Sequence, residues 1–207
     1  MLARKTEVIK IEKNIIKKFI NGVLRIYCKL LYRIEINGIE NVPKEGAVIL
    51  CANHVSLLDA VLINCFTPRK TRYLAKEELK KFFFLRPLIK LYKIIVVKRD
   101  TKELSAIKES LKALKSNDCL VIFPEGTRNG LEKNNGQMKN GATYLAIKSQ
   151  TPIVPIGIKG KMKLFSKIVV NYGESIDYSE YSKQKITKEL EDKTTEELKD
   201  KIIKLIK

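Results

Sequence analysis

Apolar residues recur every three or four positions over residues 9–33, and lysines and arginines lie between them. Ile16, Ile20, Val23 and Tyr27 are among the apolar positions. This period predicts an amphipathic α-helix, and basic residues on its polar side are typical of a helix that lies in a membrane interface. A helix that packs its apolar stripe on a globular domain has the same pattern. The segment alone therefore leaves both interpretations open.

After residue 33, short apolar runs bounded by turn residues alternate with further helical periods. The runs predict strands at residues 33–36, 47–52, 73–75, 94–97, 119–123, 153–158 and 168–172. The periods predict helices over residues 56–66, 104–114, 142–149 and a last helix that begins with a capping pair, Thr194 and Glu197. Strands that alternate with helices predict an α/β domain over residues 34–207, with a mixed central sheet flanked by helices, preceded by the amphipathic helix of residues 1–33.

Two further segments carry signals of their own. Residues 77–92 mix bulky apolar and basic residues around Pro87, which predicts a broken helix at the surface and an interfacial patch. Asp100 and Glu103 resemble the capping pair of a helix start.

The net charge of +18 is concentrated in two segments. Residues 1–33 hold nine lysines and arginines against two glutamates, and residues 69–99 hold eleven against two. Such segments bind phosphates, either of nucleic acid or of anionic lipid. A lysine-rich overall composition explains the total charge, but it does not explain the clustering.

The four cysteines form no CxxC pair, and three of them stand in apolar runs. This usage is typical of reduced, buried cysteines in a cytosolic protein. The N-terminus lacks the pattern of a signal peptide, and no run of 18 apolar residues predicts a spanning helix.

The single histidine, His54, stands between the predicted strand at 47–52 and the predicted helix at 56–66. Sites in α/β domains form where strands end. Asp59 lies five residues on, which along an ideal helix is about 140° off the same face. The two side chains can therefore meet only if His54 precedes the first turn and folds back. Asn53 and Ser56 favour this, because both residue types favour helix starts.

An aspartate bonded to one ring nitrogen of a histidine fixes its tautomer and leaves the other nitrogen as a base. A histidine that caps a helix or satisfies a core hydrogen bond is the alternative for this spacing alone. Because there is no second histidine, a zinc site of the usual kind is not expected. We expect no metal and no bound cofactor.

A second polar cluster, Phe-Pro-Glu-Gly-Thr-Arg at residues 123–128, follows another predicted strand. Gly126 allows a tight turn, Thr127 can donate to an anion, and Arg128 can hold a phosphate with its planar fork. Glu125 can hold a hydroxyl or orient a neighbour. A turn with a salt bridge is the alternative for this cluster alone.

Arg99, at the end of the strand at 94–97, is a second cation for a phosphate or simply a surface charge. Three strand ends thus offer a base, an anion site and a second cation, and their convergence favours a functional site. The chain has no G-x-S-x-G elbow, P-loop or dinucleotide fingerprint. A histidine–aspartate base that acts directly on a substrate hydroxyl is therefore favoured over a covalent intermediate.

Residues 53–59, Asn-His-Val-Ser-Leu-Leu-Asp, resemble the NHxxxxD motif of the glycerolipid acyltransferase family. Residues 123–128 resemble its third motif and residues 154–156 its fourth, and residues 173–176 are also similar to the family. Arg99 falls where the second motif has its arginine. The resemblance covers about residues 33–207, and two departures are Lys93 near a glycine of the second motif and Asn129 at a serine of the third.

The resemblance implies transfer of a fatty-acyl group from an acyl thioester to the free hydroxyl of 1-acyl-glycerol-3-phosphate, which forms phosphatidic acid in phospholipid biosynthesis. The acyl donor is then acyl-CoA or an acyl carrier protein. His54 is implied as the general base and Asp59 as its partner. The residues implied to bind the acceptor phosphate are Arg99, Glu125, Gly126, Thr127 and Arg128. Those implied to shape the site or help the acyl donor are Asn53, Ser56 and Pro155.

Members of this family often begin with helices that dip into one leaflet, which fits residues 9–33. We therefore expect a peripheral or monotopic enzyme at the cytoplasmic face of the cell membrane, with an anionic membrane surface, lysophosphatidic acid and the acyl donor as partners and no nucleic acid. The same chemistry on glycerol-3-phosphate or another lysophospholipid is an alternative. A non-catalytic basic protein that binds membranes or nucleic acid is another, but it leaves His54 and Glu125 without a role.

Overall fold

The computed structural model describes residues 2–83, 86–97, 103–128, 131 and 136–207. In chain order the elements are α1 (Leu2–Leu31), β1 (Arg33–Asn37), β2 (Val48–Ala52), α2 (Leu58–Phe66), β3 (Thr71–Lys76), α3 (Arg86–Leu91), β4 (Ile95–Val97), α4 (Glu103–Lys115), β5 (Cys119–Ile122), α5 (Gly141–Ser149), β6 (Ile153–Lys159), β7 (Lys167–Tyr172) and α6 (Lys188–Ile206). Short 3₁₀ turns lie at Ile39–Asn41, Glu77–Lys81 and Ser179–Lys183.

The strands form one sheet in the order β1-β7-β6-β2-β5-β3-β4. The β6–β7 pair is antiparallel, and the other neighbouring pairs are parallel. The predicted mixed sheet is thus confirmed. All five residues of β2 are buried, as expected for a central strand covered on both faces.

Helices cover both faces of the sheet. Ile49 and Cys51 of β2 pack on one face with residues of α4, α5 and α6, including Leu114, Leu145 and Ile202. On the other face, alternate residues of β2 pack with residues of α1 and α2. This three-layer arrangement confirms the predicted α/β class, and it leaves the carboxyl ends of β2, β5 and β6 together at one edge of the sheet.

Helix α1 has a packed side and an exposed apolar side. Cys28 is fully buried against α2, and Asn21 Oδ1 accepts hydrogen bonds from Asn64 Nδ2 at 2.7 Å and from the Tyr92 hydroxyl at 2.6 Å. On the outer side, Phe19 is 71% exposed and Leu30 is 69% exposed. The predicted helix is therefore present and begins earlier, at Leu2. Within the described residues, no helix has both the length and the apolar character needed to cross a membrane.

The start of α6 and the place of Pro87 differ from the sequence predictions. Helix α6 begins at Lys188 after Thr187, whose side chain accepts a hydrogen bond from the Leu190 main-chain N–H at 3.3 Å, so the predicted start at Thr194 is wrong. Thr194 is buried inside the helix, where its hydroxyl donates to the Leu190 carbonyl at 2.9 Å. A threonine satisfied in this way does not end a helix, and its capping pattern with Glu197 is coincidental.

The predicted break in residues 77–92 is present, but Pro87 lies in the first turn of α3, where its missing N–H costs no helical hydrogen bond. The predicted capping pair of Asp100 and Glu103 lies outside the described side chains.

Candidate active site

The site residues converge at the sheet edge where β2, β5 and β6 end. His54 follows β2 by two residues, and Glu125 follows β5 by three. Both strands run in the same direction and are hydrogen-bonded neighbours, so the segments that leave them are adjacent. Two residues that are 71 positions apart in the sequence are thereby brought into contact.

Asn53 continues the pairing of β2 with β6 through its side chain. Its Nδ2 donates to the Ile158 carbonyl at 3.0 Å, and its Oδ1 accepts from the Ile158 N–H at 2.7 Å. Asn53 is buried, so the N–H and the carbonyl of Ile158 would lose a hydrogen-bond partner without this amide. Asn53 thus fixes where the chain leaves the sheet, and with it the position of the next residue, His54.

His54 and Asp59 meet because the helix begins only after the histidine. Helix α2 starts at Leu58, and residues 53–57 form the loop that turns His54 back, as the sequence required. His54 Nδ1 lies 2.8 Å from Asp59 Oδ2. The same oxygen accepts the main-chain N–H groups of Val55 at 2.7 Å and Ser56 at 2.8 Å. One carboxylate therefore holds both the imidazole and the loop that carries it.

Asp59 is fully buried, and its Oδ1 atom has no hydrogen-bond partner among the described residues. A carboxylate that accepts at Oδ2 makes Nδ1 the protonated nitrogen of the neutral ring, so Nε2 keeps its lone pair. The His54 side chain is 16% exposed, and its ring stacks on Phe123 with centroids 4.2 Å apart and planes 24° apart. The imidazole is thus held on two sides.

Ser56 contributes to the same loop. Its hydroxyl accepts the Leu58 N–H at 3.2 Å, and its carbonyl accepts the Asp59 N–H at 3.1 Å. Ser56 therefore shapes the start of α2, whereas the predicted helix-start role of Asn53 is replaced by its bond to β6.

Glu125 is buried and joins two segments of main chain. Its Oε1 accepts the His54 N–H at 2.8 Å, and its Oε2 accepts the Leu131 N–H at 3.0 Å. The carboxylate thus connects the histidine loop to Leu131, which follows the motif of residues 123–128. Sequence reasoning gave Glu125 two possible roles, and orientation of a neighbour is the one that these contacts support.

The turn after β5 places a glycine beside a lysine. The Gly126 N–H donates to the Phe123 carbonyl at 3.1 Å, and Gly126 has a φ of 64°. A Cβ atom at this position would lie 3.0 Å from Cε of Lys139. The Lys139 N–H in turn donates to the Pro124 carbonyl at 2.9 Å. Sequence reasoning missed Lys139, because a lysine in a polar loop has no local signal that separates it from surface lysines.

Thr127 and Arg128 are exposed at the same turn, and the exposed Lys139 packs on Gly126, so Arg128 and Lys139 lie at one surface. Arg99 lies outside the described residues. Pro155 is buried within β6, where its carbonyl accepts the Gly173 N–H at 2.8 Å. It is one strand away from the histidine loop and contacts the segment after β7.

All four cysteines are free and buried. Burial, together with the negative charge of Glu125, raises the pKa of the Cys51 thiol far above its usual range. Cys51 is therefore a poor thiolate nucleophile although it lies three residues from His54. Among the described residues, no group of three or more His, Cys, Asp or Glu side chains could hold a metal ion.

Comparisons with known proteins agree with one another. Residues 33–159 match the family model described as acyltransferase. A 1-acyl-sn-glycerol-3-phosphate acyltransferase of Borreliella burgdorferi is 28% identical over 180 residues, which cover 80% of this chain and 72% of the relative. The protein of the same name from Bacillus subtilis is 27% identical over 159 residues, which cover 71% of this chain and 78% of the relative.

A mouse relative, named 1-acyl-sn-glycerol-3-phosphate acyltransferase alpha, is 32% identical over 163 residues, which cover 75% of this chain and 56% of the relative. The crystal structure of a 1-acyl-sn-glycerophosphate acyltransferase from Thermotoga maritima superimposes with a TM-score of 0.66 at 25% identity. The match covers 91% of this chain and 81% of the Thermotoga chain.

Proposed function

The chain belongs to the acyltransferase family, and we propose that it transfers a fatty-acyl group from an acyl thioester to the free hydroxyl of 1-acyl-glycerol-3-phosphate, forming phosphatidic acid. The names of the bacterial and mouse relatives support this acceptor. The observation that carries the proposal is the pair of His54 and Asp59, in which Nδ1 is held at 2.8 Å and Nε2 remains available as a base.

In the proposed reaction the acceptor hydroxyl donates its proton to Nε2 of His54 while its oxygen attacks the thioester carbonyl. The tetrahedral intermediate then expels the thiolate, the C–S bond breaks, and His54 returns the proton to the sulfur. Asp59 stabilises the imidazolium that exists between the two transfers. A well-placed general base contributes about 10²–10⁴ in rate.

The turn after β5 is the proposed site for the acceptor phosphate. Gly126 allows the chain to turn at its φ of 64°, Thr127 offers a hydroxyl, and Arg128 offers a planar fork that matches phosphate oxygens. Lys139 adds a second cation, since its side chain lies over Gly126. Arg99 remains an expected contributor from the sequence. Binding of the phosphate would hold the acceptor hydroxyl near His54 and supply much of the rate enhancement by positioning.

We propose Glu125 as the connection between this phosphate site and the base. Its two oxygens accept main-chain N–H groups of His54 and Leu131, so the carboxylate can set the distance between them. A carboxylate in direct contact with phosphate would repel it, whereas one bound to two N–H groups is stabilised. Glu125→Gln should therefore lower kcat more than it raises KM for the acceptor, and a KM below that of the unchanged chain would favour direct contact between the carboxylate and the phosphate.

We propose that the enzyme acts on the cytoplasmic face of an anionic membrane, where α1 is one contact. The exposed apolar side of α1 includes Ile15, Phe19, Ile26 and Leu30, and a monomeric protein seldom exposes so much apolar surface without a partner. The nine basic residues of residues 1–33 would add attraction to anionic lipid. The acceptor would then pass from the bilayer into the site without crossing water.

The test is a mass-spectrometric assay of the purified chain on anionic vesicles that contain 1-acyl-glycerol-3-phosphate, with a long-chain acyl-CoA and an acyl carrier protein thioester offered in separate reactions. The expected result is phosphatidic acid with at least one donor, and a loss of about 10²–10⁴ in turnover for His54→Ala. Asn37→Ala, an exposed change on β1, is the control for the substitution itself.

Turnover of His54→Ala within tenfold of the unchanged chain would contradict the role of the base. Product from glycerol-3-phosphate or another lysophospholipid, but not from 1-acyl-glycerol-3-phosphate, would change the acceptor and leave the reaction class standing. Failure with both donors and all acceptors would contradict the reaction class.

A further inference from the structure

The loop that joins β6 to β7 presents two large apolar residues to solvent. It spans residues 160–166, and within it Leu164 is 63% exposed and Phe165 is 67% exposed. A polar turn would suffice to connect two antiparallel strands. Two exposed apolar side chains at the tip therefore need a reason other than chain reversal.

The loop is attached to the end of α1. The Phe165 N–H donates to the Leu31 carbonyl at 2.6 Å, and the Arg33 N–H donates to the Ser166 carbonyl at 3.0 Å. Phe165 has a φ of 62°, a left-handed conformation that is unfavourable for a bulky aromatic residue and easy for glycine. The fold thus holds an aromatic side chain outward at a position where backbone geometry alone would favour glycine.

This attachment makes the loop continuous with the exposed apolar side of α1. The last two turns of that helix expose Ile26 at 62%, Tyr27 at 56% and Leu30 at 69%. Since Leu31 is bonded directly to Phe165, these side chains and the loop tip belong to one end of the molecule. Exposed apolar side chains gathered at one end of a molecule indicate an interaction surface, whereas scattered single ones do not.

The surroundings of the loop are basic. Lys161 and Lys163 lie within it and Lys167 follows it, and all three are exposed. Lys167 forms a 2.7 Å ion pair with Glu35, so Lys161 and Lys163 are the lysines best placed to attract an anionic surface. Apolar side chains flanked by lysines are the pattern of a segment that enters the interface of an anionic bilayer.

The loop also lies at the same sheet edge as the base. It begins directly after Lys159, the last residue of β6, and the preceding Ile158 is bonded to Asn53 beside His54. A membrane bound at this loop would therefore face the edge of the sheet where the site opens.

We propose that the β6–β7 loop is a second membrane contact, which inserts Leu164 and Phe165 into the headgroup–acyl boundary of an anionic bilayer beside the end of α1. The proposal rests on the membrane-surface function proposed above and adds a contact formed from the catalytic domain itself. Two contacts, one on α1 and one on the β6–β7 loop, would fix the orientation of the site relative to the bilayer. A contact through α1 alone would leave the molecule free to rotate about the axis of that helix.

The chain contains no tryptophan, so a single one reports its own environment. Phe165→Trp in the full chain, mixed with phosphatidylglycerol–phosphatidylcholine vesicles, should shift its emission to shorter wavelength and be quenched by lipids brominated in the acyl chain. Ser116→Trp is the control, because Ser116 is exposed just after α4 and before β5, at the opposite end of the strands from the loop, and should show neither effect.

Vesicle flotation gives the second measurement. Leu164→Ser combined with Phe165→Ser should weaken binding about tenfold, as expected for the loss of part of two apolar side chains from the interface, while Ser116→Ala stays within twofold. Lys161→Glu with Lys163→Glu should weaken binding to anionic vesicles more than to neutral ones. Unquenched emission from the Phe165→Trp variant on vesicles that bind the protein, or a loop variant that binds as the unchanged chain does, would overturn the proposal.

Binding is measured without substrate, so these results are independent of the reaction. If the tryptophan of the Phe165→Trp variant is quenched on vesicles and the unchanged chain makes no product, the proposed function fails while the loop contact stands. If product forms and the tryptophan of the Phe165→Trp variant stays in water, the loop contact alone fails.

Discussion

Replacement of Asp59 by asparagine tests the proposed mechanism most directly. The carboxylate lies 2.8 Å from His54 Nδ1 and is fully buried, so it meets the imidazolium charge with little solvent between them. At this separation a unit charge pair gains about 6 kcal/mol for an effective dielectric constant of about 20. If about half of the charge has developed on the ring in the transition state, the loss is about 3 kcal/mol, or about 10² in rate.

The tautomer adds to this loss. An amide nitrogen that turns toward Nδ1 donates to it, which leaves the proton on Nε2 and removes the base. We therefore expect Asp59→Asn to lower kcat by about 10²–10⁴. Because the same oxygen, Oδ2, accepts from His54, Val55 and Ser56, an amide nitrogen in its place would also leave the N–H groups of Val55 and Ser56 unsatisfied, so the free energy of unfolding should fall by about 2–4 kcal/mol.

The assay is kcat at saturating acceptor and donor, with the unfolding midpoint in urea measured on the same preparations. Asp118→Asn is the matched control, since Asp118 is a surface carboxylate paired with Arg72 at 2.9 Å and lies at the other end of β5. A kcat within tenfold of the unchanged chain, in a protein that remains folded, would refute the role assigned to Asp59. So would an equal loss in Asp118→Asn.

Three further predictions concern the site and its support. Asn53→Ala should lower the free energy of unfolding by about 2–4 kcal/mol in urea titrations, because two buried groups of Ile158 lose their partner, while Asn37→Ala should cost less than about 1 kcal/mol. Gly126→Ala should cost about 1–2 kcal/mol at its φ of 64° and raise KM for the acceptor, and an unchanged KM would count against the phosphate site. Burial raises the pKa of the Cys119 thiol to about 12 from an unfolded value of about 8.5. Stability from this thiol is therefore complete below about pH 8.5 and is lost at higher pH, by about 2 kcal/mol at pH 10, and Cys119→Ala should remove that part of the alkaline loss in urea midpoints.

Local patterns predicted the elements because each depends on near neighbours. The apolar run at 47–52 became β2 because both faces of this central strand are buried, and the period over 9–33 became part of α1 because positions on one helix face repeat about every 3.6 residues. The wrong helix start at Thr194 came from a capping pattern, which is also local. The side of α6 that packs on the core continues back to Leu190, so the helix begins before Thr194.

The sequence by itself determined the α/β class and the motif after β5, and it permitted the fold-back of His54 onto Asp59. These depend on contacts within about six residues or on one strand and its following turn. Only the tertiary structure decided that Glu125 bonds the His54 N–H, that Lys139 lies over Gly126, and that Phe165 meets the end of α1. Each of these contacts depends on the order and direction of strands in the sheet, which many sequence-distant pairings determine jointly and no local pattern encodes.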